Sequence, residues 1–211
     1  MSILEPLCGS GRFLVPFLKK GFRIKGVDNS SEMLGKLLAK APEADVTQCD
    51  IEKYETLEQF DYIFITSGSV CLFTDMQACK RILSKMKTLL KNDGKFVFAV
   101  DTIADRTADS TEYKAGVTVN TKENDRIVLK SKSYFDESTH TQFGPSIYEL
   151  YHGDALIQQE KMDFQIHLYE LGEMETILRD IGFGRVQVYA SFKKDPAKTN
   201  DAEMFLYECS L

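Results

Sequence analysis

The chain has 211 residues, 43% of them hydrophobic, with 26 basic against 32 acidic side chains and a net charge of −6. That composition suits one domain with a sizeable core, and its scattered basic residues form no concentrated face for nucleic-acid phosphates. Apolar runs are only strand-length, no secretory signal precedes the first strand, and five irregularly spaced cysteines give neither a metal pattern nor a disulfide framework. The expectation is a soluble cytoplasmic protein with reduced, buried thiols, no resident metal, and neither nucleic acid nor membrane as partner.

Ile3-Leu4-Glu5-Pro6 reads as a first strand, and Leu7 to Gly11 as a tight glycine turn. A helix N-terminus after such a turn offers unpaired N–H groups to a polar ligand. Arg12 to Lys20 is predicted as a helix with Phe13, Leu14, Phe17 and Leu18 on one face, ended by Gly21. Phe22 to Val27 is a second strand closed by Asp28. Asn29-Ser30-Ser31-Glu32 has the form of a capping box with Asn29 in the cap position, and the helix behind it should turn Met33, Leu34, Leu37 and Leu38 inward. Asp45 to Cys49 is a third strand closed by Asp50; Tyr62 to Ile65 is a fourth, followed by the polar loop Thr66 to Ser69. Thr74 or Asp75 caps the clearest helix, where Cys79, Ile82, Leu83, Met86, Leu89 and Leu90 keep helical spacing. Asn92-Asp93-Gly94 turns it into a fifth strand, Lys95 to Val100, closed by Asp101.

Strands alternating with helices of this length imply a parallel sheet covered on both faces. Its carboxyl edge, where open α/β sheets bind ligands, would carry Asp28, Asp50 and Asp101. From residue 112 the rhythm changes to four strand-like segments, 112–120, 125–135, 142–152 and 155–169, separated by turns such as Lys122-Glu123-Asn124 and Gly153-Asp154. They read as an antiparallel insertion of two hairpins over 112–169, a candidate lid or dimer element inside a single domain spanning 1–211. Leu171, Met174, Ile177, Leu178 and Ile181 then make a helix leaving through Gly182-Phe183-Gly184. Arg185 to Ala190 is a sixth strand, and Glu203 to Cys209 a last one, left antiparallel by its short return connection.

The glycine turn alone suits either a dinucleotide or S-adenosylmethionine. The dinucleotide fingerprint wants a third Gly or Ala where the helix meets the strand, and Leu14 occupies that position. Glu5 before the turn and Asp50 after the third strand favour the second cofactor. Glu5-Pro6-Leu7-Cys8-Gly9-Ser10-Gly11-Arg12 resembles motif I (E-x-x-C-G-x-G-R) of class I S-adenosylmethionine-dependent methyltransferases. The resemblance continues in register through Gly26 to Leu34, Gln48 to Ile51, Phe60 to Ile63 and Gly94 to Phe96, and through the closing helix, Gly-Phe and antiparallel strand of residues 171–209. The insertion together with Tyr189 to Phe192 is similar to the small-molecule branch.

What the resemblance implies is a Rossmann-like fold, a mostly parallel seven-stranded sheet with an antiparallel last strand and an antiparallel β insertion. The implied activity is methyl transfer to a small-molecule acceptor. Glu5, Cys8, Gly9, Ser10, Gly11, Arg12 and Phe13 would shape the loop beside the methionine moiety, and Asp28 would accept from both ribose hydroxyls. Asn29 and Met33 would border the adenosine; Asp50 would accept from the adenine amino group with Ile51 against the ring. Thr66, Gly68 and Ser69 would pass near the methyl group. The reactive methyl sulfonium belongs to the cofactor, so the protein's task is alignment and water exclusion, and no residue is nominated as catalytic. Thr66-Ser67-Gly68-Ser69 departs from the N/D-P-P-Y/F motif of amide- and nucleobase-modifying relatives.

The remaining candidates read first as ordinary structure. Asp101 is a strand end before it is a wall of an acceptor pocket, and Arg106 a surface residue before it is an anion contact. His140 and His152, near turns, are expected in solvent. His167 with Tyr169 is a strand position before it is an acceptor contact. Tyr134, Tyr148 and Tyr151 could line a lid, and Cys71 and Cys79 are packing residues. Family members carry a helical segment before motif I, whereas here the first strand begins at Ser2 or Ile3. That departure keeps a non-catalytic cofactor-binding protein as the alternative, ahead of a dinucleotide oxidoreductase. It also suits an open crevice, one covered by the insertion or by another subunit of a homodimer, or a truncated chain.

Overall fold

The computed structural model describes residues 1–121 and 125–211; the predicted turn Lys122-Glu123-Asn124 lies outside them. The chain builds β1 (Ser2–Pro6), α1 (Leu14–Lys19), β2 (Arg23–Asp28), α2 (Ser31–Leu38), β3 (Asp45–Gln48), β4 (Phe60–Ile65), α3 (Met76–Leu89) and β5 (Leu90–Asp101) in alternation. A second group follows: β6 (Ser110–Asn120), β7 (Arg126–Asp136), β8 (Thr141–Phe143), β9 (Ser146–His152), β10 (Ala155–Met162) and β11 (Gln165–His167). The chain ends with α4 (Glu173–Ile181), β12 (Arg185–Tyr189) and β13 (Met204–Ser210).

Seven strands form the main sheet in the order β12-β13-β5-β4-β1-β2-β3. β1 runs parallel to β2 and β4, and β13 antiparallel to β5 and β12, as the sequence implied. Successive side chains serve opposite faces. Leu4, Ile63, Phe96, Phe98 and Tyr207 enter the large core beneath α3 and α4. Ile3 and Phe64 join Leu14, Val15, Leu34 and Leu37 beneath α1 and α2. On that second face α1 and α2 lie nearest β2 and β3. Over β4, β5 and β13 the face opens as an apolar groove of about 350 Å³, lined by Phe17, Tyr62, Phe64, Val97 and Leu206 with the exposed Phe192 beside them.

Several predicted details shift. Ser30, not Asn29, caps α2, because the Asp28 carboxylate takes the Ser30 N–H and leaves the Ser30 hydroxyl to accept from Met33 N–H. Of the four apolar residues expected inward on α2, Leu34 and Leu37 are buried, while Met33 and Leu38 are exposed. The helix opened by Arg12 begins only at Leu14. Leu90 starts β5 rather than ending α3, with a register break where Asn92-Asp93-Gly94 was expected as a separate turn. Residues 142–152 and 155–169 each hold a break, so the expected four strands are six. Gly144-Pro145 separates β8 from β9, and Asp163-Phe164 separates β10 from β11. Proline cannot donate to a ladder, which is reason enough for the first break. β10, β9, β7, β8 and β11 lie in that order in an antiparallel sheet of their own, with β6 on β7. No described helix is long and apolar enough to cross a membrane.

Candidate functional site

The strand order changes direction between β1 and β4, and at such a switch point the strand ends open a crevice. Glu5 stands at the end of β1, Asp28 at the end of β2, Thr66 just past β4 and Asp101 at the end of β5. The Asp28 carboxylate accepts from the N–H groups of Gly9 (2.7 Å) and Ser30 (2.9 Å), which locks the glycine turn to the second strand. Each of its oxygens keeps a further lone pair, so the group retains acceptor capacity for hydroxyls.

Glu5 is only 1% exposed, and its Oε2 is the one buried side-chain oxygen without a partner among the described residues. Burial pushes its carboxyl up to about 8, against the opposing pull of hydrogen bonds with the Leu14 backbone and the Thr66 side chain. A buried carboxyl oxygen without a partner is costly, and a cationic ammonium or sulfonium is the kind of group that would relieve it. The residues therefore fit S-adenosylmethionine at this edge.

The other predicted residues fall around this edge to differing degrees. Gly9 lies beside Met33, whose Cε would sit 3.5 Å from a Cβ at that position, so this exposed methionine is brought to the turn. Gly11 is buried at φ 75, and an added Cβ would meet Leu37 Cγ at 2.7 Å and Val15 Cγ2 at 2.9 Å. Cys8 is buried, and desolvation together with the charges of Glu5 and Asp28 raises its thiol to about 12, so it shapes the loop without being a nucleophile. Ser10 presents its carbonyl to Lys40 Nζ at 2.9 Å, and Arg12 is exposed with its guanidinium 5.5 Å from the Phe13 ring. Asn29 offers its carbonyl to Gln48 Nε2. Asp50 is exposed and caps a single 3-10 turn through Glu52 N–H at 2.9 Å, while Ile51 behind it is 4% exposed in the main core. Ser67 and Gly68 both adopt left-handed angles, and Ser69 holds the loop through its hydroxyl on Thr66 O.

Asp101 ends β5, as expected. A Cβ on Gly68 would lie 2.9 Å from its carboxylate, so the acid faces the loop after β4. Desolvation and the charge of Asp105 raise its pKa, and its N–H is held by Cys71 Sγ at 3.1 Å. Cys71 and Cys79 are packing residues as expected, the latter 3.7 Å from the Tyr169 hydroxyl in the core. Cys49 is half-buried where a buried thiol was expected, and all five cysteines are free.

Outside the crevice, Arg106 is paired with Glu137 and stacked on Phe135. Tyr134 stacks on Phe143, and Tyr151 donates to Glu149. His152 is exposed, as expected, beside Asp125. His140 corrects the expectation of a solvated residue: it is half-buried, its ring 6.1 Å from that of the buried His167.

Comparison with known proteins agrees with this fold. Residues 3–94 match a family model described as a methyltransferase domain. A protein of Geobacillus sp. (strain WCH70), whose name assigns it provisionally to the methyltransferases, is 25% identical over 209 residues, 97% of this chain and 83% of its own. Among solved structures, an S-adenosylmethionine-dependent methyltransferase from Clostridium acetobutylicum ATCC 824 superposes with a TM-score of 0.79 at 17% identity, over 100% of this chain and 83% of that one. The CcbJ methyltransferase from Streptomyces caelestis gives 0.78 at 18% identity, covering 99% and 82%. The sugar N-methyltransferase KedS8 from Streptoalloteichus sp ATCC 53650 gives 0.78 at 17%, covering 100% and 80%. Residues 3–94 thus resemble a methyltransferase domain, and over its whole length the chain has the fold of solved S-adenosylmethionine-dependent methyltransferases.

Proposed function

We propose that this chain transfers a methyl group from S-adenosylmethionine to a polar small molecule. The observation that carries the reading is the acidic edge at the sheet's switch point, with Glu5 Oε2 buried and unpartnered between the glycine turn and Thr66. The cofactor supplies an electrophilic methyl sulfonium. Asp28 holds ribose hydroxyls on its remaining lone pairs while bonded to Gly9 and Ser30. Glu5 balances the cationic amino-acid end, and Met33 and Asp50 border the adenosine. Gly68 and Asp101 form the wall nearest the methyl group. With its pKa raised, Asp101 is suited to accept a proton from an acceptor hydroxyl or ammonium. The second sheet serves as the cover that excludes water. The sugar N-methyltransferase among the structural neighbours supports a small polar acceptor, and the net negative charge speaks against nucleic acid.

The test is a thermal-shift comparison of S-adenosylmethionine, S-adenosylhomocysteine and NAD(H), since a ligand that binds only the native state raises Tm. The two adenosyl ligands should stabilise the protein and NAD(H) should not. Asp28→Ala should abolish the shift. Stabilisation by NAD(H) alone would overturn the reading. Binding without turnover on amino and hydroxyl acceptors, sugars included, would leave a cofactor-binding protein without catalysis.

A further inference from the structure

The structure assigns a divalent transition-metal site to His140, His167 and Glu173, apart from the acidic edge described above. One imidazole nitrogen from each histidine and one carboxylate oxygen all lie within 4.8 Å of one another. His167 Nε2 is 2.7 Å from Glu173 Oε1, and the two histidine rings are 6.1 Å apart. Ligand atoms bonded to zinc at about 2.0–2.2 Å stand roughly 3.3–3.6 Å apart at tetrahedral angles. Side-chain rotations of about an ångström therefore bring the three groups onto one ion.

Their surroundings suit the same role. His167 is buried, so its ring is oriented by packing, with Tyr169 edge-on at 4.5 Å. Glu173 Oε1 faces the His167 ring, 2.7 Å from its Nε2. The backbone N–H of Glu170 donates to its other oxygen at 3.3 Å, fixing the carboxylate from outside. His140 sits at φ 49, a left-handed angle uncommon for a side-chain-bearing residue, with its carbonyl held by Leu168 N–H at 2.8 Å. That backbone presents the imidazole to His167 rather than to solvent. The three groups face an open cavity of about 500 Å³ also lined by Thr74, Met76, Ser138 and Thr139, which leaves room for a water as fourth ligand. Two imidazoles and one carboxylate favour zinc, cobalt(II) or a similar ion over magnesium or calcium.

The ligands come from the turn between β7 and β8, from β11, and from the first turn of α4. An ion bound there would clip the second sheet to the main α/β unit. The experiment uses the full chain, stripped with chelator and titrated with Zn²⁺ by calorimetry, with Co²⁺ as spectroscopic substitute. One equivalent should bind and raise Tm by several degrees. His140→Ala and Glu173→Gln should each weaken binding by about tenfold or more. His167→Ala threatens folding because the ring is buried, so the other two variants carry the test, with melting curves confirming that they fold. Absence of saturable uptake by the wild type would leave a plain His–Glu hydrogen bond and overturn the site. So would uptake undiminished in His140→Ala, or a cobalt spectrum with thiolate bands, which would locate the ion on a cysteine such as Cys49.

Discussion

A carboxyl group that folding moves from water to 1% exposure keeps its proton through neutral pH unless a cation arrives beside it. Glu5 is in that position, raised to about 8 from 4.5 by desolvation. The native state then binds more protons than the unfolded chain between these values. The stabilising contribution is complete below about pH 4.5 and is lost as pH rises through about 8. At about 1.4 kcal/mol per unit this amounts to several kcal/mol. Urea midpoints of the ligand-free protein should fall between pH 5.5 and 9, and Glu5→Gln should flatten that dependence. A cationic ligand reverses the balance by favouring the carboxylate. Calorimetry of S-adenosylmethionine in buffers of different ionisation enthalpy should therefore show proton release near pH 7 that fades above pH 9. A binding heat independent of buffer would remove Glu5 from the cofactor's cationic end.

Between elements, the decisive fit is an exchange of size across β2 and α1. Leu14 is fully buried where a dinucleotide enzyme needs a small residue. The space comes from Gly26 on β2, where an added Cβ would meet Leu14 Cδ1 at 2.6 Å and Cys8 Sγ at 2.7 Å. Gly26→Ala should cost about 1–3 kcal/mol by overpacking, and Leu14→Ala about 2–5 kcal/mol by cavity formation. The double variant should cost clearly less than their sum, measured as denaturant midpoints; strict additivity would deny the contact. The sequence announces half of this arrangement. Leu14 can be read as an obstacle to one cofactor, but its compensating glycine sits on another strand, and only the parallel pairing of β1 with β2 brings them together.

The same distinction sorts the rest. The α/β alternation, a cap at Thr74 or Asp75 and the antiparallel β13 were legible because each rests on local pattern or on short connections. The α2 cap was misplaced by one residue because Asn29 and Ser30 are both competent, and the choice depends on where Asp28 spends its oxygens. Asp28 and Glu5 stood out as strand-end acids. Asp101 did so only weakly, since nothing local shows that the loop after β4 folds onto it. His140, His167 and Glu173 carry no metal-binding spacing at all, and β8 pairing with β11 is what makes them neighbours.

At the scale of the molecule, the second sheet is joined to the first through a narrow stem. Thr102 and Tyr169 form a parallel bridge, Tyr169 N–H donates to Asp101 O at 3.0 Å, and Ile103 N–H returns to Tyr169 O at 3.3 Å. Both stem residues are fully buried, and Thr102 also donates to Glu203 O beside β13. The chain thus leaves β5 and comes back at almost the same place. Replacing residues 105–166 by a short Gly/Ser linker should leave a cooperatively melting main sheet that still gains Tm from S-adenosylhomocysteine. Closing the stem over fewer residues also lowers its entropic cost, by about 0.6 kcal/mol per halving of length. Turnover should be lost with the cover. A truncated chain that fails to melt cooperatively would show that the second sheet belongs to the folding core.

That stem has a bearing on descent as well as on folding. Because departure and return lie side by side, whatever is spliced between Thr102 and Tyr169 can be lengthened, shortened or exchanged without re-registering the seven strands of the main sheet. The glycine turn and its acids would be untouched by such a change. A lineage built this way can keep one methyl donor and acquire new acceptors by recombining a single contiguous stretch of gene.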